Sequence, residues 1–258
     1  MKPFPIYRLN DAITNAMSKI ITIDIACGIA TGLDPMIHFV DEQGGPISTI
    51  AEITECPIIL SRTSPLRYVK LSVTYAQLLW MICSIVLRNH DTIALESEID
   101  NMSSEERSQY FNELSVDSNI TRYQRDLLDK KKTFELSSDM LNKICIMTQR
   151  KLTENEMDEL YKYDMESEIG IKINSMYVYA MVFNLLHEFS HHSLNHDFQQ
   201  VGTVQEEIEA DSNSFWSIYS DLMGAEKKTA IIGILCSLTS LIFVDKSLPD
   251  DGIYPLPI

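Results

Sequence analysis

The sequence predicts a mainly α fold with α+β character, in which a helical domain carries a small β-sheet or hairpin. Three apolar stretches have the length and periodicity of buried helices: residues 76–87, 173–185 and 229–244. Residues 47–60 are rich in isoleucine and threonine and are interrupted at Pro57, which favours a strand or hairpin. At 258 residues and 45% hydrophobic content, the chain can bury the core of one large or two small domains.

Local signals place further helix boundaries. Asn10 or Asp11 can cap a first helix that runs to about residue 28. Pro65 can begin a long helix through the first apolar stretch, because proline is favoured at the first helical position. Residues 103–106, Ser-Ser-Glu-Glu, have the spacing of a capping box and predict the start of another helix.

The most informative segment is residues 187–196, which hold four of the six histidines and begin with His-Glu-x-x-His. Positions four apart share one face of a helix, so His187 and His191 can present two imidazole nitrogens to one cation while Glu188 flanks the same site. The apolar stretch before them predicts a buried helix, where imidazoles without a metal would lack partners. The pattern therefore predicts a zinc hydrolase in which Glu188 is the catalytic base rather than a ligand.

A catalytic zinc takes three protein ligands and keeps its fourth position for water, which directs the search downstream. On a helix over residues 204–223, Glu207 and Asp211 lie one turn apart on one side. Glu207 can be the third ligand, and Asp211 can accept the far ring N–H of a ligating histidine. Glu206 and Glu209 turn away from this face, and we interpret them as solvated residues. Three residues are expected to form the buried apolar stripe of this helix: Ile208, Phe215 and Leu222.

The remaining histidines of the segment are interpreted as non-ligands. His192 and His196 stand five and nine residues after His187, so a continuous helix turns both away from the ligand face. His192 can cap the helix or bind substrate, and His196 lies near the helix end beside Asn195, a common C-terminal residue type. The group that stabilises the reacting carbonyl oxygen must lie outside the ligand set, and three candidates remain: Tyr219, His192 and Tyr254.

These residues resemble the gluzincin metallopeptidases, whose pattern is His-Glu-x-x-His followed by a helix with Glu-x-x-x-Asp. The matching positions are His187, Glu188, His191, Glu207 and Asp211. The fifteen-residue gap between the second histidine and the glutamate resembles the compact bacterial and phage-encoded members. The segment His-Glu-Phe-Ser-His-His is similar to the family of the phage-exclusion peptidase Lit.

The resemblance covers about residues 173–223 and implies a zincin-like domain that uses Zn²⁺ to cleave a cytosolic protein target. It also implies a phage-defence or toxin-like effector, with an activating or inhibiting protein partner and an extended substrate bound along an edge strand. We assign residues 171–258 to the zinc-binding catalytic helices and residues 1–170 to a mainly helical N-terminal region. The alternative is a metal-stabilised regulatory or protein-interaction module without protease activity, which would not need Glu188.

Composition limits the partners. Thirty-seven acidic and twenty-one basic side chains give a formal net charge of −16, which repels nucleic acid and anionic membranes and favours a neutral or basic protein partner. We therefore expect a protein or peptide substrate and no nucleic acid. The five cysteines are odd in number and lack Cys-x-x-Cys spacing, so they predict neither a disulfide framework nor a thiolate metal site.

A cytoplasmic location is expected, because the first residues lack a secretory signal pattern and the cysteines suit a reducing compartment. The apolar runs at residues 76–87 and 229–244 are shorter than the ~20 residues needed to span a bilayer. We therefore expect no membrane span. The second run is expected to form a core helix that packs behind the helix carrying Glu207.

Overall fold

The computed structural model describes most of the chain from residue 67 to residue 244. The described residues are 67–115, 119–150, 152–153, 155–156, 168–194, 196, 203–220 and 222–244, two strands at 37–40 and 51–55, and residues 9, 11–13 and 15–17. In this part the molecule is mainly helical with one small sheet, which confirms the predicted fold class. The first predicted helix is helical where it is described, with Ile13 and Met17 buried, and residues 18–28 lie outside the described residues.

The sheet has three strands, β1 (Ile37–Val40), β2 (Ala51–Glu55) and β3 (Arg67–Ser72), in the order β1-β3-β2. β3 pairs parallel with β1 and antiparallel with β2, so β2 is an edge of the described sheet. β2 lies inside the segment predicted as a strand or hairpin. The helix predicted to begin at Pro65 is wrong at its start, because residues 67–72 form the central strand before the helix begins.

Seven helices follow β3 in the described residues. They are α1 (Val73–Asp100), α2 (Ser104–Glu113), α3 (Asn119–Leu128), α4 (Lys130–Met147), α5 (Glu168–Ser193), α6 (Val204–Tyr219) and α7 (Gly224–Ser240), after which a 3₁₀ turn spans Leu241–Phe243. α1 begins directly after β3, with Ser72 as its N-cap: the Ser72 side chain accepts the Tyr75 backbone N–H at 3.1 Å. The predicted capping box at Ser103 and Glu106 is confirmed.

The core forms where α1, α5 and α7 pack together. A buried polar network joins these three helices: Asn184 donates to the Tyr75 hydroxyl at 3.0 Å, and Ser237 donates to Asn184 Oδ1 at 2.6 Å. The Tyr75 hydroxyl also lies 2.7 Å from Ser240 Oγ. Helices on both sides of residue 170 therefore share one core, while the division of the chain at that residue stays a prediction.

α7 packs most closely against α5, next against α1 and less against α6, the Glu207 helix, which corrects the expected arrangement. The contact depends on Gly233, which is buried on the α5 side. A Cβ at this position would lie 2.5 Å from the Met176 carbonyl oxygen and 3.2 Å from the Ala180 backbone nitrogen. The absence of a side chain at Gly233 thus sets the close approach of the two helices.

Two helices are long and apolar enough to cross a membrane by length and composition: α1 and residues Glu168–His191 of α5. The sequence estimate of a short apolar run at 76–87 missed this, because α1 continues through polar residues to a length of 28. In the most apolar windows of the two helices, 50% and 67% of the residues are buried inside the fold. Core helices of soluble proteins pass the same test, so these helices are weak evidence for a membrane span.

Candidate metal centre

The helix that carries the His-Glu-x-x-His pattern is buried on most of its circumference, as the sequence predicted. Of the eleven side chains from Met176 to Leu186, ten are apolar or aromatic and only Asn184 is polar. Five of them have no exposed surface: Tyr177, Ala180, Met181, Val182 and Leu185. The helix therefore cannot rotate without exposing its core face. This fixes the direction in which His187 and His191 project near its C-terminal end.

Small side chains allow α6 to approach α5 closely at the site. Ser190, Ala210 and Ser214 are buried at the crossing, where Ser190 Oγ lies 3.2 Å from Ser214 Oγ. Asn213 Nδ2 donates to Ser190 Oγ at 2.9 Å. The buried face of α6 thus runs through small residues, and the expected apolar stripe is wrong at Ile208, which is 54% exposed. Sequence reasoning missed these small residues, although they recur at helical spacing from Glu207.

The start of α6 fixes the register of its acidic residues. Thr203 is the N-cap: its side chain accepts the Glu206 backbone N–H, and the Glu206 carboxylate accepts the Thr203 backbone N–H at 2.7 Å. Glu206 is therefore part of a capping box rather than a freely solvated residue. With Glu206 held at the helix start, the next residue, Glu207, points toward α5.

His187, His191 and Glu207 converge on one point. The Nε2 atoms of the two histidines lie 3.0 Å apart. The Glu207 carboxylate oxygens lie 3.2 Å from His187 Nε2 and 3.6 Å from His191 Nε2. All three ligand atoms are within 4.8 Å of one another, so the group can hold a metal ion.

These separations fit a tetrahedral zinc ion. Ligand atoms placed ~2.05 Å from a tetrahedral metal are about 3.3 Å from each other. The two nitrogens are 3.0 Å apart and Glu207 Oε2 is 3.2 Å from His187 Nε2, both close to that value. Two imidazole nitrogens and one carboxylate are also a common ligand set of catalytic zinc. The residues present therefore fit the ion that the sequence predicted.

Asp211 orients His187 for such a role. Its Oδ1 lies 2.8 Å from His187 Nδ1, and an ionised carboxylate can only accept, so the Nδ1–H of His187 donates to it. The Nε2 atom is left to face His191 and Glu207. This is the supporting contact that the spacing of Glu207 and Asp211 predicted.

The site concentrates negative charge around His187. Burial alone lowers the pKa of His187, but hydrogen bonds to Asp211 and Glu207 and the nearby charge of Glu188 raise this pKa from 6.5 to about 10. Burial also raises the pKa of Glu207, but its hydrogen bonds with His187 and His191 lower that pKa from 4.5 to about 2. A cation at this point, either a proton or a metal ion, is thus strongly favoured.

Metal binding is expected to release about one proton per ion at pH 7 to 8, because His187 must lose the proton that its pKa of about 10 retains in the metal-free chain. Zinc affinity should consequently fall as the pH is lowered. Without metal, the His187–Glu207 pair contributes fully to stability between pH 4.5 and 6.5. That contribution should fade as the pH rises toward 10, where His187 loses its proton, or falls toward 2, where Glu207 gains one.

Calorimetry in buffers of different ionisation enthalpy measures this proton count. Zinc binding with no proton release at pH 7 would contradict the charge arrangement at His187.

Of the three residues proposed to stabilise the reacting carbonyl oxygen, the side chain of one lies within the described residues. Tyr219 lies twelve residues after Glu207 on α6, about 18 Å along the axis, which places it away from the metal site. Its ring stacks on Phe215, with centroids 5.1 Å apart, and Lys227 lies 3.6 Å from its centroid. The side chains of His192 and Tyr254 lie outside the described residues, so their roles stay predictions.

His196 contacts the site, which the sequence interpretation did not foresee. Its Nδ1 lies 2.8 Å from His191 Nδ1, and its Nε2 lies 3.4 Å from Glu209 Oε2. Glu209 is exposed and is not a ligand, as interpreted, but it also contacts His196, which the sequence interpretation did not foresee. A helix that continued past residue 193 would turn His196 away, but α5 ends before it.

The fold and this cluster define a helical protein that can hold a metal ion between two packed helices. The model of the Peptidase U49 family matches residues 69–256. Because the match covers well over half of the chain, the chain belongs to the Peptidase U49 family, and its substrates are proteins or peptides. The matched region begins far upstream of residue 173, where the sequence resemblance began. No curated protein and no solved structure matches the chain.

Proposed function

We propose that the chain is a zinc-dependent endopeptidase of the gluzincin type, similar to the phage-exclusion peptidase Lit. The observation that carries this proposal is the convergence of His187 Nε2, His191 Nε2 and the Glu207 carboxylate. The two nitrogens lie 3.0 Å apart, Glu207 Oε2 lies 3.2 Å from His187 Nε2, and Glu207 Oε1 lies 3.6 Å from His191 Nε2. Magnesium and calcium favour sites built from oxygen atoms, whereas two imidazoles with one carboxylate are a ligand set of catalytic zinc.

Zinc held by these residues would supply Lewis acidity toward the scissile carbonyl and toward a water molecule. Glu188 accepts the proton of the attacking water and then donates a proton to the leaving amine nitrogen. It is half-buried beside the first ligand, and its charge contributes to the raised pKa of His187. His187 keeps its orientation through Asp211 during the reaction.

The substrate chain is proposed to lie along β2. This strand is an edge of the described sheet and packs against α5, the helix that carries the ligands. An extended peptide can pair with the open side of such a strand through backbone hydrogen bonds. We further propose that the cleaved bond lies at the end of α5 that carries the histidines.

The proposed target is a neutral or basic protein of the cytoplasm, since the net charge of −16 disfavours nucleic acid and acidic partners. The described cysteines, at positions 83, 145 and 236, are free thiols, which suits a reducing compartment. By its similarity to Lit, the peptidase acts as a phage-defence or toxin-like effector that a protein trigger activates.

Glu188→Gln is expected to lower proteolysis by about 10²- to 10⁴-fold, because it removes the proton acceptor without removing a ligand. The variant should bind zinc as the wild type does. New protein N-termini in cells that express the wild type, with and without phage infection, measure the cleavage. Glu135→Gln, an exposed change on α4, is the matched control and should cleave normally.

Equal cleavage by the wild type and Glu188→Gln would contradict the proposed mechanism. The second candidate, a metal-stabilised regulatory module, predicts bound zinc but no new N-termini in any arm of the experiment. The presence of Glu188 beside the ligands favours the enzyme, since a structural metal site needs no proton acceptor.

A further inference from the structure

The two histidines of the site have different partners at their far ring nitrogens. His187 Nδ1 faces a carboxylate, that of Asp211, at 2.8 Å. His191 Nδ1 instead faces a second imidazole, that of His196, also at 2.8 Å. The rings of His191 and His196 meet edge to face, with centroids 5.0 Å apart and planes inclined at 66°.

The end of α5 brings His196 to this position. The His196 backbone N–H donates to the His191 carbonyl at 2.9 Å, the six-to-one bond of a Schellman helix end. The Leu194 N–H still makes an ordinary helical bond to the Ser190 carbonyl at 2.9 Å. The chain therefore turns back on the last helical turn, and the His196 side chain lies over His191 with only 10% of its surface exposed.

We propose that His196 is a positioning residue for His191, with Glu209 as its own support; this inference rests on the proposed function. His191 binds metal through Nε2, which faces His187 and Glu207, so its one ring proton must be on Nδ1. His196 Nδ1 must then accept that proton's hydrogen bond, because two nitrogens that both lack or both carry a proton cannot bond.

The same reasoning fixes the second proton. With Nδ1 of His196 as acceptor, its proton is on Nε2, which faces Glu209 Oε2 at 3.4 Å. Gln205 holds the Glu209 carboxylate in turn, since its Nε2 donates to Glu209 Oε1 at 2.7 Å. The hydrogen-bond series Glu209–His196–His191 thus orients the ring of His191, as Asp211 alone orients the ring of His187. Both carboxylates, those of Glu209 and Asp211, come from α6.

This role can be separated from simple space filling. Asparagine at position 196 keeps an acceptor oxygen close to the place of Nδ1, whereas leucine fills a similar volume without any acceptor. We expect His196→Leu to weaken zinc binding by about 10- to 100-fold. His196→Asn should stay within about threefold of the wild type, because the acceptor is kept. Glu209→Ala should lie between the wild type and His196→Leu.

The measurement is Zn²⁺ affinity by competition with a chelator, with His90→Leu as the control histidine. His90 is exposed on α1 and contacts Asp91. Thermal unfolding of each metal-free variant reports whether the fold is intact. In the zinc-loaded wild type, long-range ¹⁵N spectra should show His191 protonated at Nδ1 and His196 protonated at Nε2.

Several outcomes would overturn the inference. If His196→Leu binds zinc like the wild type, or if His196→Asn is as weak as His196→Leu, the acceptor does not position His191. A His196 protonated at Nδ1 in the zinc-loaded protein would overturn it directly. If the wild type itself bound no zinc, the proposed function would fail as well. The wild-type affinity alone tells this failure apart from a failure of the role of His196.

Discussion

Glu207→Ala should strip zinc from the protein while leaving α6 folded. Zinc affinity should fall by more than about 100-fold, which is the upper end of the range for losing a supporting contact, because one of three ligands is removed. Asp211→Ala should weaken zinc binding by about 10- to 100-fold, since it removes only the acceptor for His187. Chelator competition measures both variants on one scale.

The neighbouring residue supplies the control. Glu206→Ala removes only the carboxylate half of the capping box, because the Thr203 side chain still accepts the residue 206 backbone N–H, so it should keep both α6 and the metal. If Glu206→Ala released zinc while Glu207→Ala retained it, the register of α6 would be wrong, and with it the gluzincin assignment.

Gly233→Val is expected to destabilise the fold by about 3 kcal/mol or more, at or above the top of the usual range for overpacking. Its Cβ would lie 2.5 Å from the Met176 carbonyl oxygen, a backbone atom that cannot turn aside as a flexible side chain can. α5 and α7 would have to separate, and the buried network between Asn184 and Ser237 would open.

Urea unfolding measures this cost. Ala225→Val places the same side chain at an exposed position of α7 and should change stability by less than about 1 kcal/mol. If Gly233→Val were as stable as that control, the close contact between α5 and α7 would not exist in solution.

Sequence periodicity was sufficient to predict which site residues share a helix face, where those residues lie on regular helices. His187 and His191 are four apart, as are Glu207 and Asp211, so each pair had to share a helix face wherever the helices lay. Their joint position depends on the tight crossing at Ser190, Ala210 and Ser214. Small residues carry no strong signal in hydrophobic patterns, so this contact could not be predicted from periodicity alone.

Two of the errors came where a helix begins or ends. Pro65 does not distinguish the two structures open to residues 67–72, because proline is compatible with both a helix start and the approach to a strand. A continuous helix would turn His196 away from the site, whereas the bond from its backbone N–H to the His191 carbonyl reverses the chain. Asn195 in the sequence was the available signal for that turn.

Anomalous diffraction at the zinc edge, from crystals of the zinc-loaded protein, tests the central claim most directly. The proposed site predicts one strong peak about 2.0–2.2 Å from His187 Nε2, His191 Nε2 and a Glu207 carboxylate oxygen. The absence of a peak between α5 and α6, or a peak bound by other residues while these three stay free, would contradict it.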